Sequence, residues 1–174
     1  MTTPANIANG KYWDAAWSLV DGCTPVSEAC DNCWLRGMAE RFSDGWNGNV
    51  TFRADRLDIP LKRKVPTTYA IWSDLFHEAV TVGDIIEAYD AMHAAKHHTF
   101  LVLTKRARRM QSVLYDEDDR WYLWGDECGV KNVWHGVTVE NQTHIERLRP
   151  LLEISSAINW VSFEPLLGPI DATY

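Results

Sequence analysis

Nowhere in the 174-residue chain is there an apolar run approaching the ~18 residues that a membrane-spanning helix needs, so a helical membrane protein is excluded. The opening, MTTPANIANGKYW, lacks the basic segment and apolar stretch of a secretory leader, which predicts a cytoplasmic protein. Excess positive charge is missing as well. Seventeen Lys and Arg against 24 Asp and Glu give a formal net charge of −7, which argues against coating nucleic acid by overall charge and leaves room only for a local basic groove. No low-complexity linker interrupts the sequence, and its length suits one core, so residues 1–174 read as a single domain. Cysteine is scarce, with four in all, yet Cys23, Cys30 and Cys33 crowd into the loop GCTPVSEACDNCW at 22–34 with spacing C-x6-C-x2-C. In a reducing compartment such crowding indicates metal ligation or redox chemistry rather than disulfides, and an odd cluster pairs poorly.

Aromatic residues are plentiful, with nine Trp and six Tyr, and from residue 66 onward they fall in short apolar runs that alternate with helical patterns. TTYAIWSDLFH (67–77) leads into a helix opened by Thr81 and Asp84, a capping-box pair, with Ile85, Tyr89 and Met92 on one face. HTFLVLTKR (98–106) is nearly continuous in apolar residues, as a strand buried on both faces should be, and precedes a helix with Met110, Val113 and Leu114 inward. NVWHGVTVENQ (132–142) precedes a helix carrying Ile145, Leu148, Leu151 and Leu152, and INWVSFEPLLG (158–168) is the fourth run. In the first third, AAWSLV (15–20) and NVTFRAD (49–55) read as strands and CWLRGMAERF (33–42) as a helix with Leu35, Met38, Ala39 and Phe42 inward. The pattern predicts an α/β fold with a parallel sheet, a (βα) partial barrel of about six units. YDEDDRWYLWGDECG (115–129) breaks the rhythm as an acidic, aromatic insert.

Parallel sheets gather functional groups where their strands end, and these ends are polar. They carry Ser73, Asp74 and His77; Thr104, Lys105 and Arg106; Thr138, Glu140, Asn141 and Gln142; and Ser162 with Glu164. His93, His97 and His98 sit at a helix end, where solvation or dipole compensation is expected. Cys128 reads as a plain thiol. Three thiolates on one loop can hold zinc with a fourth ligand, such as His77 or Cys128, or an iron–sulfur cluster with one iron left without a cysteine.

A three-cysteine loop after the first strand of a βα barrel resembles that of radical S-adenosylmethionine enzymes. Their usual spacing is C-x3-C-x2-C with an aromatic between the last two cysteines; here six residues separate Cys23 from Cys30, Asn32 precedes Cys33, and Trp34 follows it. The ordered series YWDAAWSLVDGCTPVSEACDNCW, WSDLFHE, HTFLVLTKR, NVWHGVTVENQ and VSFEPLLGPID, from Tyr12 to Asp171, resembles the phage three-cysteine-motif family, the gp-thirty-seven/gp-sixty-eight family of bacteriophages and prophages. The resemblance implies a phage or prophage protein in the host cytoplasm and a TIM-barrel-like fold. It further implies a four-iron four-sulfur cluster on Cys23, Cys30 and Cys33, with S-adenosylmethionine on the open iron. Asp74, Thr104, Lys105, Glu140, Asn141 and Glu164 would then be cofactor-binding candidates, and Ser73, His77 and Thr138 catalytic ones. The substrate class stays open among a nucleotide, a nucleic acid and a host protein. Members of that family look longer, with further strands, which leaves two expectations: a six-unit open barrel complete as it stands, or a short form whose barrel a homodimer partner or a companion chain completes. Two other functions remain: a zinc-binding protein-interaction module, and a nucleic-acid-acting protein using LTKRARRM (103–110) as a phosphate strip.

Overall fold

Apolar runs of three to six residues, bounded by Thr, Ser and charged groups, become the strands of one parallel sheet. A computed structural model describes residues 6, 8–42, 48–114, 131–154, 156–171 and 173. In chain order the elements are β1 (Ala15–Trp17), β2 (Val20–Asp21), α1 (Trp34–Phe42), β3 (Thr51–Phe52), α2 (Ile59–Lys62) and β4 (Thr68–Ile71). There follow α3 (Val82–Ala94), β5 (Thr99–Thr104), α4 (Ala107–Leu114), β6 (Val133–Thr138), α5 (Leu148–Leu152) and β7 (Ile158–Ser162). Short 3-10 helices occupy Glu28–Asn32, Ala54–Arg56 and Gln142–Arg147.

The sheet runs β1-β4-β5-β6-β7, and every pairing is parallel. Each strand is added outside the one before it, without reversal. Right-handed crossovers in such an order put their helices on one face. That face is the core: Tyr69, Phe100, Val102 and Val137 pack with Tyr89 and Met92 of α3, Met110 of α4 and Leu151 of α5. Because side chains alternate along a strand, the register Ala70, Leu101, Trp134 and Ile158 lies on the opposite face, as does Leu103, Gly136 and Trp160.

Helix starts follow the local chemistry. Thr81 accepts from Asp84 N while Asp84 accepts from Thr81 N, completing the expected capping box of α3, and Ile85, Tyr89 and Met92 are buried as their spacing requires. Inside, Ser156 Oγ donates to the Ile158 carbonyl and therefore accepts from His135 Nδ1–H. His135 Nε2 is thus the acceptor for Tyr89 Oη at 2.7 Å. Full burial holds the ring neutral, with its pKa pushed down to about 3.

Several sequence expectations are corrected. The run 15–20 is not one strand: β1 stops at Trp17, and Val20–Asp21 turns to pair antiparallel with Thr51–Phe52, a separate two-stranded unit. The described parallel sheet therefore has five strands rather than six. Asp21 drives the turn, since its carboxylate meets Arg53 and Arg56, and Arg56 also donates to the Ser18 carbonyl. His98 is buried rather than solvated: its Nδ1 accepts from Thr67 N, so Nε2 donates to the carbonyls of Pro60 and Arg63. Leu152 points outward at 73% exposure, whereas Leu151 carries the core contact. Leu35, Met38 and Ala39 are half-buried. The insert 115–129, with Cys128, lies outside the described residues.

Candidate functional site

The cysteine loop leaves the sheet through Gly22, whose φ of +81° suits glycine; a Cβ there would meet Asn49 O at 1.8 Å. Cys30 lies in the Glu28–Asn32 turn, and Cys33 ends it and starts α1. All three thiols are unpaired and half-buried, and all three line one cavity of about 170 Å3 at the carboxyl edge of the sheet. Cys30 Sγ accepts from Val26 N at 3.5 Å, and Cys23 Sγ donates to the Thr24 carbonyl while accepting from Arg106 Nη1 at 3.8 Å. Burial and then the Asp74 carboxylate push the Cys23 thiol pKa up, against the pull of Arg106.

A buried guanidinium ties this loop down. Arg106 donates through Nη1 to Asp74 (2.8 Å), through Nε to Glu78 (2.8 Å), and through Nη2 to the carbonyl and hydroxyl oxygens of Thr24 (3.2 and 3.0 Å). Asp74 also accepts from Thr104 Oγ1 at 2.7 Å and from Phe76 N, and Thr104 in turn accepts from Arg106 N. His77 completes the clamp. Its Nδ1 accepts from Ala79 N, so in the neutral ring Nε2 carries the proton and donates to Thr24 Oγ1 at 2.7 Å. Burial and the nearby Arg106 both lower its pKa, which keeps that tautomer at neutral pH.

Glu140 anchors the other end of the loop. Although fully buried, it accepts from Ser27 Oγ (2.9 Å) and Arg147 Nη1 (2.7 Å) and pairs with Lys105 Nζ at 3.3 Å. Around the rim, a backbone hydrogen bond to Glu28, with donations from His144 Nε2 and Asn141 Nδ2, holds that exposed carboxyl at about 2. Asn141 also caps the Gln142–Arg147 turn through Thr143 N.

Beside the thiol cavity lies a second one of about 360 Å3 on the sheet face opposite the core helices, bordered by the cysteine loop and Trp34 of α1; Cys30, Cys33, Trp34, Trp72, Lys105 and Thr138 are among the residues the two share. Aromatic rings wall it: Trp72 stands edge-on to Trp34 at 5.1 Å, and Tyr12 edge-on to Trp160 at 5.7 Å. Ser162 and Glu164 close one end. Ser73, in the thiol cavity, holds a positive φ of 61°, a strained backbone at the point where β4 hands over to the clamp.

The structure thus brings Cys23, Cys30, Cys33, Ser73, Asp74, Thr104, Lys105 and Thr138 around one cavity, with His77, Glu140 and Asn141 bracing its loop and Glu164 in the adjoining chamber. The polar atoms of Asp74, Thr104 and Glu140 are spent on the braces. Thr24, Ser27, Glu28, His144 and Arg147 were missed by sequence reasoning; the one available signal was their position within or just after candidate loops. The basic strip 103–110 is largely consumed inside the fold, since Lys105 meets Glu140, Arg106 meets Asp74 and Glu78, and Arg109 donates to the Val80 carbonyl. His77 has both ring nitrogens engaged, and among the described residues no group of three or more His, Cys, Asp or Glu side chains is gathered closely enough to hold a metal ion. The thiols surround a shared cavity without being drawn together.

Fold and site define an α/β protein with a parallel sheet and a three-cysteine cavity at its carboxyl edge. The chain belongs to the family described as "Protein of unknown function (DUF5131)", whose model it matches over residues 8–174. Comparison with curated proteins and with solved structures gives no match. None of the described helices is long and apolar enough to cross a membrane.

Proposed function

We propose that this is an iron–sulfur enzyme of the radical S-adenosylmethionine type, a phage or prophage protein working in the host cytoplasm. Its four-iron four-sulfur cluster would be held by Cys23, Cys30 and Cys33. The observation that carries the reading is the set of three unpaired thiols lining one cavity at the carboxyl edge of a parallel sheet. The donor set fits the group by its chemistry, since three soft sulfur ligands would leave one iron open and Val26 N and Arg106 already donate toward two of the sulfurs; ligation would have to draw the three thiols closer than they stand. When bound and reduced, the cluster would supply one electron to S-adenosylmethionine, splitting a sulfonium C–S bond into methionine and a 5′-deoxyadenosyl radical that would take a hydrogen atom from a substrate.

The chain's own residues bind, orient and exclude water. Cys23 must lose its proton on ligation, and the adjacent Arg106 guanidinium offsets the thiolate charge so formed. Asp74, Thr104, His77, Glu140 and Asn141 fix the loop from both ends. Thr138, which lines both cavities, would meet the cofactor's polar atoms, with Lys105 beside it already paired to Glu140. The sheet has two strand edges, β1 and β7, and a partial barrel completed by a second copy or a companion chain is part of this proposal.

Anaerobic purification with iron, zinc and sulfide analysis tests the reading, together with electron paramagnetic resonance of the reduced protein. About four irons and four sulfides, and a spectrum that shifts on adding S-adenosylmethionine, are expected. One zinc without sulfide would overturn it and turn the search toward a zinc-held interaction module.

A further inference from the structure

We propose that the aromatic chamber beside the thiols is the substrate site and that it takes an uncharged nucleobase or nucleoside, stacked on Trp160 with an N–H edge turned to Glu164. This rests on the thiol cavity being the reactive centre, because the chamber shares Cys30 and Cys33 with it and a ligand there lies against the sulfurs.

Shape comes first. A Cβ on Gly136 would lie 2.4 to 2.7 Å from Cε2, Cδ2 and Nε1 of Trp160, so the indole lies across the glycine backbone. One face of the ring is thereby covered, and the indole lines the chamber. Leu101, Leu103 and Ala70 add an apolar floor, and Tyr12 stands edge-on at the side. A flat aromatic surface of this kind holds planar rings by stacking. About 360 Å3 falls at the small end of the range of roughly 300–1,000 Å3 for ligand sites, which suits one base with its sugar.

Polarity then narrows the class. Glu164 meets Ser162 Oγ only at a long 3.5 Å, leaving carboxylate oxygens for N–H donors. A plain hydrocarbon ring offers nothing to that carboxylate, whereas a base offers N–H donors on its rim. Phosphate is disfavoured: Lys105 is the one cation among the residues lining the chamber, and it is already paired with Glu140.

The test is calorimetric titration of the metal-free full chain with guanosine, adenosine, cytidine, ribose and guanosine monophosphate. Guanosine, whose edge carries two adjacent N–H donors, is expected to bind best. Ribose should not bind, and the monophosphate should bind no tighter than the nucleoside. Glu164→Gln should weaken guanosine about tenfold or more, as loss of a charge-assisted pair does, and Trp160→Leu should weaken it further. Glu164 is exposed, so its variant carries the test even where the Trp160 variant fails to fold. Absence of nucleoside binding at millimolar concentration, or unchanged affinity in Glu164→Gln, overturns the assignment. Displacement of guanosine by S-adenosylmethionine overturns it too, since the chamber would then belong to the cofactor's own adenosine. Metal analysis reads separately: zinc in place of iron, with guanosine still bound, would sink the cluster and leave the ligand assignment standing.

Discussion

The Arg106 guanidinium joins the ends of β4 and β5 to the cysteine loop, so its loss leaves Asp74 buried beside an empty space. Breaking a buried pair in this way costs about 3–5 kcal/mol, and Arg106→Ala is expected to lower urea-unfolding stability by that order. Arg106→Lys should recover only part, because an ammonium cannot reach Glu78, Asp74 and Thr24 in one plane. An Arg106→Ala variant as stable as the parent would remove the clamp from the account. The sequence marks Arg106 as a strand-end cation but not as a brace, since whether a guanidinium faces a ligand or its neighbours depends on segments 28 to 83 residues away. The cysteines were legible for the opposite reason: their spacing alone confines three thiols to one loop. Acid is expected to weaken the fold through buried neutral histidines. His135 has a folded pKa of about 3 against roughly 6.5 unfolded, so the unfolded chain takes up the extra proton in between. Stability is therefore full above about pH 6.5 and falls as the pH drops from there toward 3, by about 2 kcal/mol at pH 5 from this residue. Urea unfolding at pH 7.5 and 5.0 checks it; equal midpoints would show that His135 takes up its proton as readily in the folded chain as in the unfolded one.

Among the elements, α3 states its own start most clearly. Thr81→Ala removes the side-chain acceptor of the capping box and should cost about 1 kcal/mol, read as a lower thermal midpoint. Thr81→Ser should retain most of it, and equal losses in the two would point to packing rather than to the cap. This helix was readable because cap, apolar face and length all agree within thirteen residues. The first third was not, because AAWSLV has the composition of one strand and is divided by partners elsewhere in the chain: Asp21 by Arg53 and Arg56, and Trp17 by the Arg56 carbonyl that its Nε1 reaches at 2.8 Å. Periodicity sees neither. The chamber wall was hidden similarly, since Gly136 reads as a weak point in a strand until Trp160 of the next strand is laid over it.

On the scale of the whole molecule, metal binding should act as a folding ligand, because only the folded chain gathers the three thiols around one cavity. At a free metal concentration about a hundredfold above Kd, the stabilisation is about 2.7 kcal/mol, or roughly 5–10 °C for a domain of this size. Differential scanning calorimetry of loaded and chelator-treated protein measures it. The increment should vanish in Cys30→Ala and in Cys33→Ala, and a full increment in either would remove that thiol from the ligands. Uptake should strengthen from pH 6.5 to 8.5, because the raised Cys23 pKa makes ligation compete with a proton. The parallel sheet was legible from the alternation of runs. The side of it that lies opposite the core helices was not, because that follows from strand order.

Strand order also sets a sequence of events during synthesis. β4 docks beside β1, and each strand from β5 on docks beside the one made just before it, so the sheet can grow from one edge as the chain emerges. The cysteine loop comes out early, but the groups that lock it come out late: His77 and Arg106 follow β4 and β5, and Glu140 follows β6. Nascent chains therefore carry the three thiols on an unsecured loop until His77, Arg106 and Glu140 have emerged in turn, and oxidation of those thiols in that interval is a hazard in producing this protein.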